Sequence, residues 1–334
     1  MANISLIGCG SWGSALANVL AENGHSVVAW HYKEDVLDSM ESSREHLRLP
    51  GFHFHKNIQF EYDLETNLRH SNYIIVAVPS HAVRETMSLA LPFIRKEPIV
   101  INVAKGIENG TLKTMSQVLA ELLNYDSHKI VSLYGPSHAE EVIANHPTTL
   151  VSASTSNKTA SDVQNIFSSD SLRVYRNHDI RGVELGGSLK NVIAIASGIC
   201  DGIGYGDNTK AALLTRGIYE ITQLGILMGA NPETFSGLSG IGDLIVTCLS
   251  KHSRNRFVGE EIGRGESLAN ILDKMGVVAE GVKTTQSVYD LSIIHNVEMP
   301  ISEGVYQILF NQKDPKKIVT ELMTRDLTHE RKIP

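Results

Sequence analysis

Near the start of the chain, a short apolar run at residues 3–7 leads straight into Gly8-Cys9-Gly10-Ser11-Trp12-Gly13. This G-x-G-x-x-G constrains the fold more than any other feature. Its first glycine permits a tight turn and its second lets backbone approach a pyrophosphate. The third lets a helix lie against the strand, with its free N–H groups facing the anion. Residues 13–22 read as that helix: Leu16, Val19 and Leu20 share a face, Ala17 is small where packing is close, and Gly24 stands past the end. A second apolar run, 26–30, completes strand, loop, helix, strand. That context turns a weak motif into the expectation of a dinucleotide held by Gly8, Gly10, Ser11, Trp12 and Gly13. The acid that usually closes the second strand and bonds the adenosine ribose is missing, because the strand runs out as Trp30-His31-Tyr32-Lys33. Glu34 and Asp35 come late for that role. His31 or Lys33 either meets a 2′-phosphate or lies in a solvated loop, so the cofactor stays open between NADP and NAD.

The rhythm continues with apolar runs at 73–78, 99–104, 130–133 and 148–153, nearly unbroken in Ile, Val, Leu and Ala, as strands covered on both faces tend to be. From about residue 185 it stops. Leu214, Ile218, Ile221, Leu224 and Met228 recur at helical spacing behind the capping residues Asp207, Asn208 and Thr209. Residues 267–275 form another helical stretch, opened by Ser267 and closed by Gly276, and 282–295 and 303–310 follow. The expected fold is α/β: an N-terminal Rossmann-like doubly wound sheet at residues 1–185, then an all-helical C-terminal domain at 186–334.

Composition narrows the function. With 30 Lys and Arg against 37 Asp and Glu, the net charge of −7 lacks the basic excess that neutralising many phosphates requires, so nucleic acid is not expected as a partner. Aromatic content of 6% offers no stacking platform for single strands. Cys9, Cys200 and Cys248 lie far apart with no C-x-x-C, which fits a reducing, cytoplasmic setting. No Lys or Arg precedes Lys33, so the positive region of a secretory signal is absent, and no membrane span is expected. The 14 histidines include His46, His53 and His55, read here as a surface loop; none sits in a metal-binding spacing, and no metal is expected. Ser239 in Gly237-Leu238-Ser239-Gly240 has the wrong spacing for a hydrolase elbow.

Several segments keep polar residues in glycine-rich or apolar surroundings, where folding alone gains little from them. They are Val78-Pro79-Ser80-His81, Ala104-Lys105-Gly106-Ile107-Glu108, Gly135-Pro136-Ser137-His138-Ala139-Glu140-Glu141 and Glu184-Leu185-Gly186-Gly187-Ser188-Leu189-Lys190-Asn191. Gly237-Leu238-Ser239-Gly240-Ile241-Gly242-Asp243, Ser253-Arg254-Asn255-Arg256-Phe257 and Ala279-Glu280-Gly281-Val282-Lys283-Thr284 follow. With the opening loop, this ordered set resembles the bacterial-type NAD(P)-dependent glycerol-3-phosphate dehydrogenases from about residue 4 to 310. The resemblance implies reduction of dihydroxyacetone phosphate to sn-glycerol 3-phosphate, a homodimer, and a role in supplying phospholipid synthesis.

Hydride addition to a ketone makes an alkoxide, so a proton donor must sit at the carbonyl oxygen, and positive charge there lowers the barrier. Lys190 is the candidate, following Gly186 and Gly187 and preceding an apolar helix at 192–199; the resemblance makes it acid in reduction and base in oxidation. Lys105 ends an apolar strand, where doubly wound folds keep their ligands, and by resemblance touches substrate and cofactor. Asn191 orients the carbonyl or Lys190, or else starts a helix. Asp243 accepts from a substrate hydroxyl or from Lys190, or caps the helix at Leu244, with Thr247 one turn on along the same face. Ser253-Arg254-Asn255 is suited to the phosphate if Ser253 or Asn255 starts a helix there, since backbone N–H groups, dipole and guanidinium then converge on one anion. By resemblance, Gly135 and Ser137 line the substrate, while Ala139, Arg254, Val278 and Glu280 meet the cofactor. Two other classes stand beside this one: a β-hydroxy acid dehydrogenase sharing the glycine loop and a Lys-Asn pair, and a nucleotide sensor, which should have lost Lys105 or Lys190.

Overall fold

The computed structural model describes residues 1–95, 97–124, 127–275 and 279–330. Its centre is an eight-stranded sheet made of β1 (Asn3–Ile7), β2 (Ser26–Trp30), β3 (Ile58–Phe60), β4 (Tyr73–Val76), β5 (Ile99–Asn102), β6 (Ile130–Tyr134), β7 (Thr148–Ala153) and β8 (Leu172–Asn177). The order is β3-β2-β1-β4-β5-β6-β7-β8, parallel except where β7 runs against β6. Two strands went unread in the sequence. β3 is three residues long, and β8 alternates buried Leu172 and Val174 with exposed Arg173 and Tyr175 at the sheet's margin, so neither forms an apolar run. The runs at 73–78 and 99–104 pair only as far as Val76 and Asn102; their last residues turn out of the sheet and carry the loops that matter below.

Helices cover both faces. On one, α1 (Ser11–Glu22) buries Leu16, Val19 and Leu20 with Ile4, Leu6 and Val27; on the other, α4 (Val83–Ala90) and α5 (Met115–Leu123) pack on Ile74, Val76 and Val100. At about 25 cal/mol per Å² of apolar surface, two such faces supply the main drive for this half. Chain order reverses between β1 and β4. The crevice at their carboxyl ends is therefore the place where a doubly wound sheet takes its ligand.

After β8 the described structure is helical. α8 (Ile180–Ile203) is its axis and buries every residue from 182 to 200. It is long and apolar enough to cross a membrane by length and composition, yet the whole of its apolar window is buried within the protein. Around it stand α9 (Asp207–Leu227), α10 (Asp243–Leu249), α11 (Arg254–Gly263), α12 (Leu268–Met275), α13 (Glu280–Ile294) and α14 (Pro300–Asn311). Close contact with α11 depends on small residues: a Cβ on Gly198 would lie 1.9 Å from the Arg256 carbonyl oxygen, and one on Gly259 would lie 2.0 Å from that of Ile195. The start of α9 differs from expectation. Gly206 is its N-cap with no side-chain cap bond, and Asp207 is already in the first turn. Ser267 does cap α12, accepting from the Asn270 N–H at 3.3 Å, whereas Gly276 lies outside the described residues.

Candidate active site

The glycine loop closes β1 onto its neighbours. Gly8 donates to the Trp30 carbonyl at 3.0 Å with φ of 111°, and a Cβ there would come within 2.8 Å of Ala77 backbone. A Cβ on Gly13 would lie 2.2 Å from the Gly8 carbonyl oxygen, while one on Gly10 would meet nothing within 4 Å. The loop is thus tight beneath and open above. Gly10 caps α1 without a side-chain bond, and the buried Trp12 Nε1 has no partner among the described residues. Uncapped helix N–H groups and an orphaned indole donor fit an anionic dinucleotide.

At the far end of β2, His31 Nδ1 accepts from the Lys33 N–H at 3.1 Å, and α2 (Glu34–Ser43) starts at once, taking Glu34 and Asp35 into its first turn. The histidine loop is not all surface, which corrects the expectation for His46. His46 is 5% exposed, and its Nε2 lies 3.3 Å from the Cys9 carbonyl oxygen. Phe52 and Phe54 pack against its ring, the local apolar signal that alternates with the exposed His53. Burial lowers the pKa values of both His31 and His46, and the charge of Arg48 pushes each the same way. Arg48 is a cation that sequence reasoning missed; its proximity to His31 is made by the loop's return over the glycine turn.

Beyond β5 and β6 the two halves meet. Lys190 lies in mid-α8, not ahead of a helix: Gly186 and Gly187 do not break α8 but let it press against the Ser239 carbonyl and the Tyr134 ring. Asn191 is likewise mid-helix and caps nothing. Lys190 Nζ donates to Asp243 Oδ1 and to Thr247 Oγ1, each at 2.5 Å. Lys105 Nζ donates to the other oxygen, Asp243 Oδ2, at 2.7 Å and to the Gly135 carbonyl at 3.0 Å. One carboxylate therefore holds two ammonium groups, one from each half. Asp243 opens α10 behind the N-cap Gly242, where a helix favours negative charge, so it is a first-turn residue and not the cap. Thr247 Oγ1 donates one turn back to the Asp243 carbonyl at 2.6 Å. Burial pulls the Lys190 ammonium down to about 8; Asp243 works against that fall and Lys105 adds to it.

Lys105 is held from beneath. Tyr134, fully buried, donates its hydroxyl to the Ala104 carbonyl and places its ring 5.7 Å from Lys105 Nζ. Asn102 donates to the Tyr134 oxygen at 2.9 Å, and Glu184 of α8 accepts from Asn102, Ser116 and Ser132. The strand end carrying one lysine is thereby tied to the helix carrying the other.

Ser253 is the N-cap of α11, its hydroxyl accepting from the Arg256 N–H at 3.2 Å, so the helix starts at Arg254 as the anion reading requires. Asn255 Oδ1 accepts from the Gly281 N–H at 2.9 Å, and a Cβ on Gly281 would meet the Asn191 carbonyl at 2.8 Å, which brings Asn191 and Asn255 to the same spot. Glu280, the first residue of α13, accepts from the Ser80 N–H at 2.7 Å across the halves. Desolvation raises its carboxyl pKa, opposed by that bond and by the charge of Arg254. Ser137 Oγ donates to the Gly135 carbonyl at 3.1 Å, and Ala139 opens α6 (Ala139–Ile143). Val278 lies outside the described residues. The expected residues thus fall into three groups: the glycine loop, the His31 end and the lysine cluster with its neighbours.

A glycine loop at the switch point of the sheet and a buried lysine drawn down to about 8 fit a two-domain dehydrogenase of the Rossmann class. Comparison with known proteins specifies it. Residues 3–160 match the model of the NAD-dependent glycerol-3-phosphate dehydrogenase N-terminus, and 179–320 match that of the C-terminus. A glycerol-3-phosphate dehydrogenase (NAD(P)+) of Bacillus velezensis is 49% identical over 332 residues, 99% of this chain and 96% of its own. One from Salinibacter ruber is 50% identical over 334 residues, covering 99% and 97%. The crystal structure of glycerol-3-phosphate dehydrogenase from Coxiella burnetii superposes with a TM-score of 0.93 at 37% identity, covering 97% of this chain and 99% of that one. The chain belongs to the NAD-dependent glycerol-3-phosphate dehydrogenase family.

Proposed function

We propose that the chain reduces dihydroxyacetone phosphate to sn-glycerol 3-phosphate with NAD(P)H, and that Lys190 supplies the proton. The observation that carries this reading is the Lys190–Asp243–Lys105 cluster beside the start of α11. Gly8, Gly10, Ser11, Trp12 and Gly13 hold the pyrophosphate, His31 stands at the adenosine end, and Ala139, Arg254 and Glu280 flank the remainder of the cofactor. When bound, the nicotinamide supplies a hydride to the ketone carbon. Ser253, Arg254 and Asn255 take the substrate phosphate, and Gly135, Ser137 and Asn191 line the carbon chain between. As the carbonyl oxygen gains negative charge, Lys190 Nζ gives it a proton and becomes a neutral amine, while Lys105 stabilises the developing charge. Oxidation runs the transfer backwards, with the neutral Lys190 as base. A pKa near 8 suits a group that must both give and take a proton near neutral pH.

Residues 1–185 serve as the cofactor unit and 186–334 as the substrate unit, with α8 running through the junction. The reading carries with it a cytoplasmic homodimer that supplies the glycerol phosphate backbone of phospholipids, with a phosphorylated triose and not nucleic acid as its partner. A carboxylate seat would serve a β-hydroxy acid dehydrogenase, and a sensor has no use for both lysines; the family match and the intact cluster favour the triose phosphate. The test follows loss of NADPH, and separately NADH, absorbance on adding dihydroxyacetone phosphate, for native protein and for Lys190→Ala checked by circular dichroism. Rapid oxidation that collapses by several orders of magnitude in the variant is expected. No turnover by folded native protein with either cofactor overturns the reading.

A further inference from the structure

We propose that the His138 imidazole is a substrate contact at the phosphate seat beside Ser253 and Arg254. This rests on the reaction proposed above. His138 Nε2 is buried and has no hydrogen-bond partner among the described residues. A buried ring nitrogen left unpaired costs free energy in the empty protein, and in a cleft it is a group waiting for a ligand atom.

The backbone of His138 is already committed: its carbonyl accepts from the Glu141 and Val142 N–H groups, both at 3.2 Å, and so starts α6 whatever the side chain. The ring is what remains unexplained. It lies in the same loop as Gly135, whose carbonyl takes Lys105, and its centroid is 5.7 Å from that of His252. His252 immediately precedes Ser253, the N-cap of α11. The two imidazoles therefore span from the sheet half to the anion end of the helical half. The contact with His252, one residue ahead of the α11 N-cap, sets the His138 ring beside the proposed phosphate seat. Burial, with the charges of Lys190 and Lys105, disfavours a second proton on the ring, while Glu140 and Glu141 oppose this. A neutral imidazole keeps one N–H, and with it on Nε2 the group donates to a phosphate oxygen.

The test compares native protein with His138→Ala, His138→Gln and His252→Ala. A hydrogen bond to a charged oxygen corresponds to a loss of roughly tenfold to a hundredfold. KM for dihydroxyacetone phosphate should rise by that factor in His138→Ala. His138→Gln, whose amide N–H reaches a similar point, should recover most of it, and His252→Ala should lose less. The dissociation constant of NADPH, read from its fluorescence, should stay within about twofold of native. Inorganic phosphate titrated calorimetrically into each protein reads the seat without turnover and should weaken in parallel with KM. An unchanged KM and phosphate affinity in folded His138→Ala overturns the assignment, as does weakening of NADPH and phosphate together, which marks a structural role. If native protein binds phosphate but does not turn over dihydroxyacetone phosphate, the proposed reaction fails and the phosphate titration alone decides on His138. If native protein binds no phosphate, the seat itself is refuted.

Discussion

Replacing Asp243 by Asn tests the logic of the lysine cluster. The carboxylate is 1% exposed and joins Lys190 at 2.5 Å and Lys105 at 2.7 Å, so the substitution leaves two ammonium groups around a neutral amide. Removing one partner from a buried ion pair costs about 3–5 kcal/mol. The cluster relieves part of that by letting Lys190 shed its proton, because burial and Lys105 already draw its pKa down to about 8 and only Asp243 among the strongest influences holds it up. A lysine left neutral at pH 7 has no proton to give, and losing a general acid costs roughly two to four orders of magnitude, so kcat/KM for ketone reduction should fall by at least about a hundredfold. The sign can be checked separately. With Lys190 as the proposed proton donor, reduction by native enzyme should fall as pH rises through about 8 and oxidation of glycerol 3-phosphate should rise over the same range. In Asp243→Asn both limbs should move toward acid. Adding Lys105→Met to the variant removes the repulsion and should move them part of the way back. The assay is stopped-flow absorbance of NADPH across pH 6–10, with circular dichroism to show that α10 keeps its start. A loss below tenfold with both limbs in their native place would refute the claim that Asp243 sets the charge of Lys190.

Two further outcomes concern the frame around the site. Gly198→Ala puts a carbon where the Arg256 carbonyl stands at 1.9 Å, forcing α11 away from α8; urea unfolding should show a loss of about 1–3 kcal/mol, and KM for the phosphorylated substrate should rise, with that for NADPH rising too through Arg254. An unchanged denaturation midpoint would show that the helices are not in close contact. Glu220, buried in α9, accepts from the Ile301 N–H at 2.7 Å and the Ser302 N–H at 3.1 Å, yet burial raises its pKa from 4.5 to about 7. A carboxyl that holds its proton more tightly when folded adds stability at acid pH that is lost as pH climbs through about 7, here about 3 kcal/mol. Glu220→Gln should flatten the stability curve over pH 4.5–7, and an identical slope would remove Glu220 from the account.

How far the sequence speaks differs between backbone and site for a physical reason. Apolar runs and the Gly8–Gly13 loop are local instructions, since each pattern limits its own backbone, and β1, α1 and β2 follow directly. Gly186 and Gly187 are not local instructions. Read by themselves they loosen a chain and suggest a helix beginning after them, yet they lie inside α8, where small size serves contact with Ser239 and Tyr134 from distant parts of the chain. His46 differs: Phe52 and Phe54 are a nearby apolar signal for its burial, but the Cys9 carbonyl that its ring meets is 37 residues away.

Individual site residues stood out because ionic groups in apolar or glycine-rich stretches are costly unless used. Their pairing did not, since Asp243 is 53 residues from Lys190 and 138 from Lys105. In the proposed mechanism, that pairing is what makes the chemistry workable. A lone buried lysine would lose its proton and have none to give; one tightly paired with its own carboxylate would hold the proton too firmly. Two lysines on one carboxylate sit between these limits. Each weakens the grip of Asp243 on the other, and the cluster keeps one excess positive charge for the proposed alkoxide. Because Lys105 comes from the sheet and Lys190 from α8, that balance exists only when the two halves are docked. The contact between the two halves thus sets the protonation state of the proposed proton donor.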